Sequence, residues 1–352
     1  MQPGPVRGAP RPRLLALAGP CVAFAACGGP SGPVDGGRAM AHVEALVEIG
    51  PRPFGSDGLA RAADYVAGEL QELGLEPRRH EVLHEKEKKT IRNVYVQIDG
   101  EDPAGGPILI LGAHYDTKAT AGHAEWEHTE PFVGAIDGGG GPAVLLELAR
   151  VLQQPEHAPK CNVWLYWIDA EESIDWKWNE KRALLGSRAF CEWLSEQKIL
   201  PRVKAFVLLD LIGSADLKID RDGNSDPRLL DLFAAAAERM GERDRLYEFP
   251  TKAEIDAYRR RGLNWGTEDD HQNFRAFGVP SVLLIDFSQR VPPNRQNLQE
   301  GQQPLPKDPR YEQWWHTPDD DLDAMDPASL AFVGNLVVEA LPALDDFVHG
   351  KR

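Results

Sequence analysis

The stretch Asn162-Val-Trp-Leu-Tyr-Trp-Ile-Asp-Ala-Glu171-Glu172 decides the fold. Its β-branched and aromatic residues run without polar alternation, the pattern of a strand buried on both faces, and such strands belong to largely parallel sheets covered by helices. The run ends in two adjacent carboxylates. Like charges at contact distance raise one another's pKa, and a cation relieves the conflict: one glutamate binds it while the other stays free to carry a proton. Two solvated loop glutamates would read the same way in isolation, so the rest of the chain has to decide.

Further segments of the same kind do so. Ile108-Leu-Ile-Leu-Gly-Ala-His114-Tyr-Asp116 is an apolar strand ending in His and Asp, and Ala205-Phe-Val-Leu-Leu-Asp210-Leu-Ile-Gly213 is another with a single acid near its end. Phe132-Val-Gly-Ala-Ile-Asp137-Gly-Gly-Gly-Gly141 leads into a helical pattern; its glycines let backbone approach a site closely and predict a mobile loop. Trp314-Trp315-His316-Thr-Pro-Asp-Asp320 precedes the last helix. In an open α/β sheet the carboxyl ends of the strands gather on one edge, so these groups converge. Asp137, Glu172 and His316 would supply three ligands with a fourth place open, as in catalytic zinc sites, and no cysteine at these points suggests a closed structural zinc.

The remaining pattern predicts one α/β domain with a mixed, largely parallel central sheet flanked by helices on both faces. Two helices are expected between residues 36 and 75, joined by Gly50-Pro-Arg-Pro-Phe-Gly-Ser56. Strands are expected near 90–98, 108–116, 161–169, 203–212 and 281–287. Helices are expected near 140–154, 186–198 and 226–240, with a last one after Asp326, where Asp followed by Pro starts a helix well. Loops 117–136 and 288–315 are expected to wall the pocket.

Residues 1–27 read as an export signal: Arg7, Arg11 and Arg13 precede the apolar run from Leu14 to Ala26. Phe24-Ala-Ala-Cys27 has the small residues that precede an acylated cysteine, which predicts a periplasmic protein or a lipoprotein tethered to the membrane through Cys27; plain signal cleavage is the alternative. Residues 28–37 form a Gly/Pro-rich linker, and 38–352 the catalytic domain. Across 352 residues, 42% hydrophobic and 27% charged, there is enough apolar content for a full core. A net charge of −16 argues against nucleic acid as a partner. Cys161 and Cys191, the thiols of the catalytic domain, read as separate and buried, although an oxidising compartment would permit a bridge.

Together, His114-Tyr-Asp116, Asp137-Gly, Glu171-Glu172 and the late His316 resemble the zinc aminopeptidase family. Within that superfamily the chain is more similar to the animal-type glutaminyl-peptide cyclotransferases. The resemblance is carried by His114-Tyr-Asp-Thr-Lys118, Phe132-Val-Gly-Ala135, Asp169-Ala-Glu-Glu172, Leu185-Gly-Ser-Arg188 and Leu208-Leu-Asp-Leu-Ile-Gly213. Asp269-Asp-His271, Gly278-Val-Pro280, Trp315-His-Thr317 and the insertion from Ser173 to Ala183 extend it. It implies cyclisation of N-terminal glutamine in peptides and proteins to pyroglutamate, with one zinc per chain on Asp137, Glu172 and His316. It also implies Glu171 as general acid/base, Asp210 and Asp269 as acids of the hydrogen-bond network around it, and Trp176 and Trp315 as the tryptophans framing the substrate. A disulfide that animal cyclases carry beside the zinc is missing, with Ala113 and Ala143 standing in that region. Two alternatives stay open: a zinc aminopeptidase, for which His114 and Asp210 would suit a second metal, and an inactive binding module.

Overall fold

The computed structural model describes residues 32–260, 262, 265–288 and 314–351. The expected export signal with Cys27, and most of the 288–315 loop, lie outside the described residues. The described chain opens with helices α1 (Gly36–Ile49) and α2 (Asp57–Glu72), then strands β1 (Arg78–His84), β2 (Lys89–Ile98) and β3 (Ile108–His114). Next come α3 (Gly141–Val151), β4 (Asn162–Ile168), α4 (Leu185–Glu196), β5 (Val203–Asp210) and α5 (Pro227–Met240). The last elements are α6 (Lys252–Arg260), α7 (His271–Ala276), β6 (Ser281–Ile285) and α8 (Pro327–Val348).

The sheet runs β1-β2-β4-β3-β5-β6. β4, β3, β5 and β6 are parallel, and β2 and β1 add antiparallel pairs at one edge. Every residue of β3 and of β4 is buried, which is why both read as unbroken apolar runs. The period of two shows instead in where the side chains go. Leu109, Leu111, Val163, Leu165, Val207 and Leu209 pack under α1, α2, α3, α5 and α8. Ile108, Ile110, Trp164, Tyr166, Phe206 and Leu208 pack against Phe190 and Leu194 of α4 and Phe274 of α7. One sheet thus serves two cores. Cys161 belongs to the first and Cys191 to the second, so the sheet lies between the two free thiols.

Asp326 caps α8 by accepting from the amide of Ala328, with Pro327 in the first turn. Strand β1 and helices α6 and α7 were not expected from the sequence. The glycine run is a correction. Gly138 to Gly141 are buried, and a Cβ on Gly140 would sit 1.9 Å from the Ile212 carbonyl oxygen. At Gly138, where φ is +88°, it would sit 2.3 Å from that of Asp116. These glycines admit close backbone packing beneath the site and do not form an open loop.

Candidate active site

The predicted groups converge at the carboxyl ends of the parallel strands. His114 ends β3, Asp210 ends β5, and Glu171 and Glu172 follow β4. Ala170 (φ 56°), Leu211 (φ 46°) and His316 (φ 52°) all adopt left-handed backbone beside or at these groups. Such conformations cost about 1–3 kcal/mol and persist where surrounding contacts enforce them, typically at functional sites.

Asp137 sits in a kink ahead of α3 (φ −85°, ψ 96°), between two histidines. Nε2 of His316 lies 2.9 Å from Oε1 of Glu172 and 3.3 Å from Oδ2 of Asp137. Nε2 of His114 lies 2.9 Å from Oδ1 of Asp210 and 3.3 Å from Oδ1 of Asp137. Asp137 Oδ2 is buried without a hydrogen bond. Donor atoms of Asp137, Glu172 and His316 all fall within 4.8 Å of one another, and so do those of His114, Asp137 and Asp210. Nitrogen and carboxylate donors at this spacing fit a divalent cation, and either trio has the donor types to hold one.

Residues without an assigned role in the sequence hold this arrangement. Asp116, fully buried, accepts from the amides of Glu171 (3.1 Å) and Glu172 (3.2 Å) and so fixes the turn carrying both. Asp320 accepts from the amides of Ile136 (2.7 Å) and Asp137 (3.1 Å). Lys118 donates to the Ser173 and Asp175 carbonyls and lies 3.5 Å from Glu172 Oε2. Arg52, fully buried, donates to the carbonyls of Leu46, Gly50, Tyr115, Val133, Gly134 and Gly138. Asp116 and Asp320 stand within the quoted motifs and were findable as buried acids next to ligands; nothing in the sequence around Arg52 signals its position.

The carboxylates divide by environment. Burial pushes Glu171 well above the usual range, opposed by cationic His114 and reinforced by Glu172, Asp269 and Asp270. Asp269 is likewise raised by burial, Asp210 and Asp270. Burial also works against the ionised forms of Glu172 and Asp137, but His316 and Lys118 lower the first, and His114 and His316 lower the second. Burial disfavours the charged His316 ring, yet Glu172 and Asp137 lift it to about 9. Charged neighbours thus favour the ionised forms of Asp137 and Glu172, while burial and acidic neighbours raise Glu171 and Asp269.

A cavity of about 240 Å³ opens onto these groups, lined by Glu171, Asp210, Asp269 and the Asp137-Glu172-His316 trio, with Trp178, Ile285, Phe287 and Trp315 as apolar walls. Trp315 stacks on His316 at 4.1 Å. Trp176 is not on the wall: it stacks on His123 at 4.6 Å, and Trp178 of the same insertion lines the cavity instead. An irregular loop has no period, so the sequence could not say which indole turns inward. The 117–136 loop also stands behind the site, with Phe132 edge-on to His316 at 5.7 Å. A larger groove of about 940 Å³, between Leu200–Lys204 and the end of α8, contains none of these groups.

This architecture, a mixed sheet with a His/Asp/Glu centre at its carboxyl edge, is that of a metal-dependent exopeptidase-type fold. The description of peptidase family M28 matches residues 93–341, and the chain belongs to that family. It is 26% identical over 300 residues to the glutaminyl-peptide cyclotransferase of Drosophila melanogaster, covering 79% of this chain and 73% of that one. The crystal structure of an Acidobacteriales bacterium glutaminyl cyclase is similar with a TM-score of 0.71 at 27% identity, covering 94% of this chain and 99% of that one. A Zn-dependent exopeptidase from Parabacteroides distasonis shares the fold, with a TM-score of 0.67 at 22% identity over 88% of this chain and 98% of that one.

Proposed function

We propose that this chain is a glutaminyl-peptide cyclotransferase, converting N-terminal glutamine of peptides and proteins to pyroglutamate with release of ammonia. The observation that carries the reading is Glu171, a carboxyl raised well above its usual range by burial and acidic neighbours, beside the Asp137-Glu172-His316 trio in a cavity the size of one side chain.

An N-terminal glutamine already holds its α-amine and γ-amide within reach of a five-membered ring, so positioning supplies much of the rate. One zinc ion per chain, on Asp137, Glu172 and His316, supplies Lewis-acid polarisation of the γ-carbonyl when bound. Glu171 takes the proton released by the α-amine as the ring C–N bond forms. It then returns that proton to the amide nitrogen, which leaves as ammonia. Asp269 keeps the Glu171 carboxyl basic enough for this exchange, and Asp210 acts on it through Asp269 and by holding His114. Trp178 and Trp315 confine the glutamine side chain and limit access of water.

The second reading is hydrolysis of N-terminal residues, favoured by the His114-Asp137-Asp210 donor set, which would accept another metal. The deciding experiment is the product mass from two synthetic peptides. Loss of one ammonia from a Gln-initiated peptide, with a Leu-initiated one untouched, supports cyclisation. Release of free leucine with glutamine left uncyclised would sink it.

Residues 1–27 and 28–37 are proposed to export and tether the catalytic domain, with lipid on Cys27. Partition of the intact chain into detergent, lost in Cys27→Ser, tests this.

A further inference from the structure

The acids around the cavity differ in what balances them. Asp137 and Glu172 face His316, Asp210 faces His114, and Glu171 and Asp269 are buried in the proton-carrying network. Glu268 stands apart. It is exposed on the rim of the same cavity, and its Oε2 accepts the indole N–H of Trp178 at 2.5 Å. No salt bridge to it occurs among the described residues. Arg188, in the adjoining surface cleft that Glu268 also lines, is turned to the Glu180 and Ala183 carbonyls. Among the described residues, an uncharged donor therefore fixes the carboxylate in place and no cation pairs with it.

The cavity has room for the glutamine side chain, so the rest of the peptide must leave across the rim, and the second residue is the first to pass it. We propose that Glu268 is a specificity-determining residue that selects peptides carrying Lys or Arg directly after the N-terminal glutamine. This rests on the cyclotransferase reading and deepens it. The indole of Trp178 and the apolar walls beside it make the rim a better place to attract a cation than open surface. Because Glu268 is exposed, the gain is modest, about two- to fivefold in kcat/KM, the range of a solvated ion pair.

The test compares Gln-Lys-Ala, Gln-Ala-Ala and Gln-Glu-Ala amides by ammonia release, at low and high salt, with the wild type, Glu268→Gln and Glu268→Lys. Glutamine keeps an acceptor for Trp178, so the wall keeps its shape and only the charge goes. The expected wild-type order is Lys above Ala above Glu, expressed mainly in KM and compressed by salt. The spread should shrink towards one in Glu268→Gln and reverse in Glu268→Lys. A wild type indifferent to the second residue, or a preference kept in Glu268→Gln, would overturn the assignment while leaving cyclisation intact. No ammonia from any of the three peptides would instead overturn the cyclotransferase reading, and this assignment with it.

Discussion

Nε2 of His316 lies 2.9 Å from Oε1 of Glu172, although 144 positions separate them in the chain. With Asp137 beside them, these are imidazole and carboxylate donors at a spacing that suits zinc. Purified enzyme is therefore expected to hold one zinc per chain. His316→Ala should lose zinc and cyclase activity together, measured by metal analysis and ammonia release on the same preparation. Retention of one tightly bound zinc in the variant would place the metal on the His114-Asp137-Asp210 set instead.

Glu171 is expected to move protons and not to bind metal. Glu171→Gln preserves the shape and the backbone bond to Asp116, so zinc content and melting temperature should match the parent. Turnover should fall by about two to four orders of magnitude, the usual loss when a general acid/base is removed. A variant within tenfold of wild type would exclude the proton-transfer role.

Asp270 provides a pH test away from the ligands. Burial, with Asp116 and Asp210, raises its carboxyl to about 7, while the Ser187 hydroxyl donates to it. The folded protein thus holds a proton that the unfolded chain loses near pH 4, so the native state binds more protons between those values. Stability from this group is complete below about 4 and declines as pH rises towards 7. Asp270→Asn mimics the protonated form and still accepts from Ser187. Its melting temperature should gain on the wild type progressively from about pH 4 to 7, and parallel curves would show that Asp270 does not titrate there.

The sheet interior was legible because β3, β4 and β5 from Ala205 to Leu209 are apolar runs, and a run of that kind has few other places to go. β1 was not. Arg78-Arg79-His80-Glu81 lies at the sheet edge with most of its side chains in solvent, so no buried face wrote a pattern into it. α6 is as polar, and α7 spans only six residues. The convergence of Asp137, Glu172 and His316 could be read because Glu172 follows β4 and the other two stand in irregular segments at the same edge. Arg52 could not: Pro-Arg-Pro reads as a solvated turn, and the six carbonyls that satisfy its guanidinium are assembled only by the fold.

The inserted loop gives the last test, because sequence and structure put different indoles at the substrate. The resemblance pointed to Trp176, yet that ring stacks on His123 and meets Trp126 at 6.4 Å, outside the cavity lining. Trp178 borders the cavity, anchored by its N–H on Glu268, in a lining that includes Trp315. Removing a ring that confines the glutamine side chain opens the cavity to water and loosens the near-attack geometry on which ring closure depends. Trp178→Ala and Trp315→Ala should therefore raise KM for Gln-initiated peptides or lower turnover, about tenfold or more, while zinc stays bound. Trp176→Ala should change KM less than either, because its contacts are with the loop behind the site. Steady-state kinetics on the three variants, with zinc measured on each, decides the matter: a larger effect from Trp176 than from Trp178 would return the wall position to the residue the sequence first indicated.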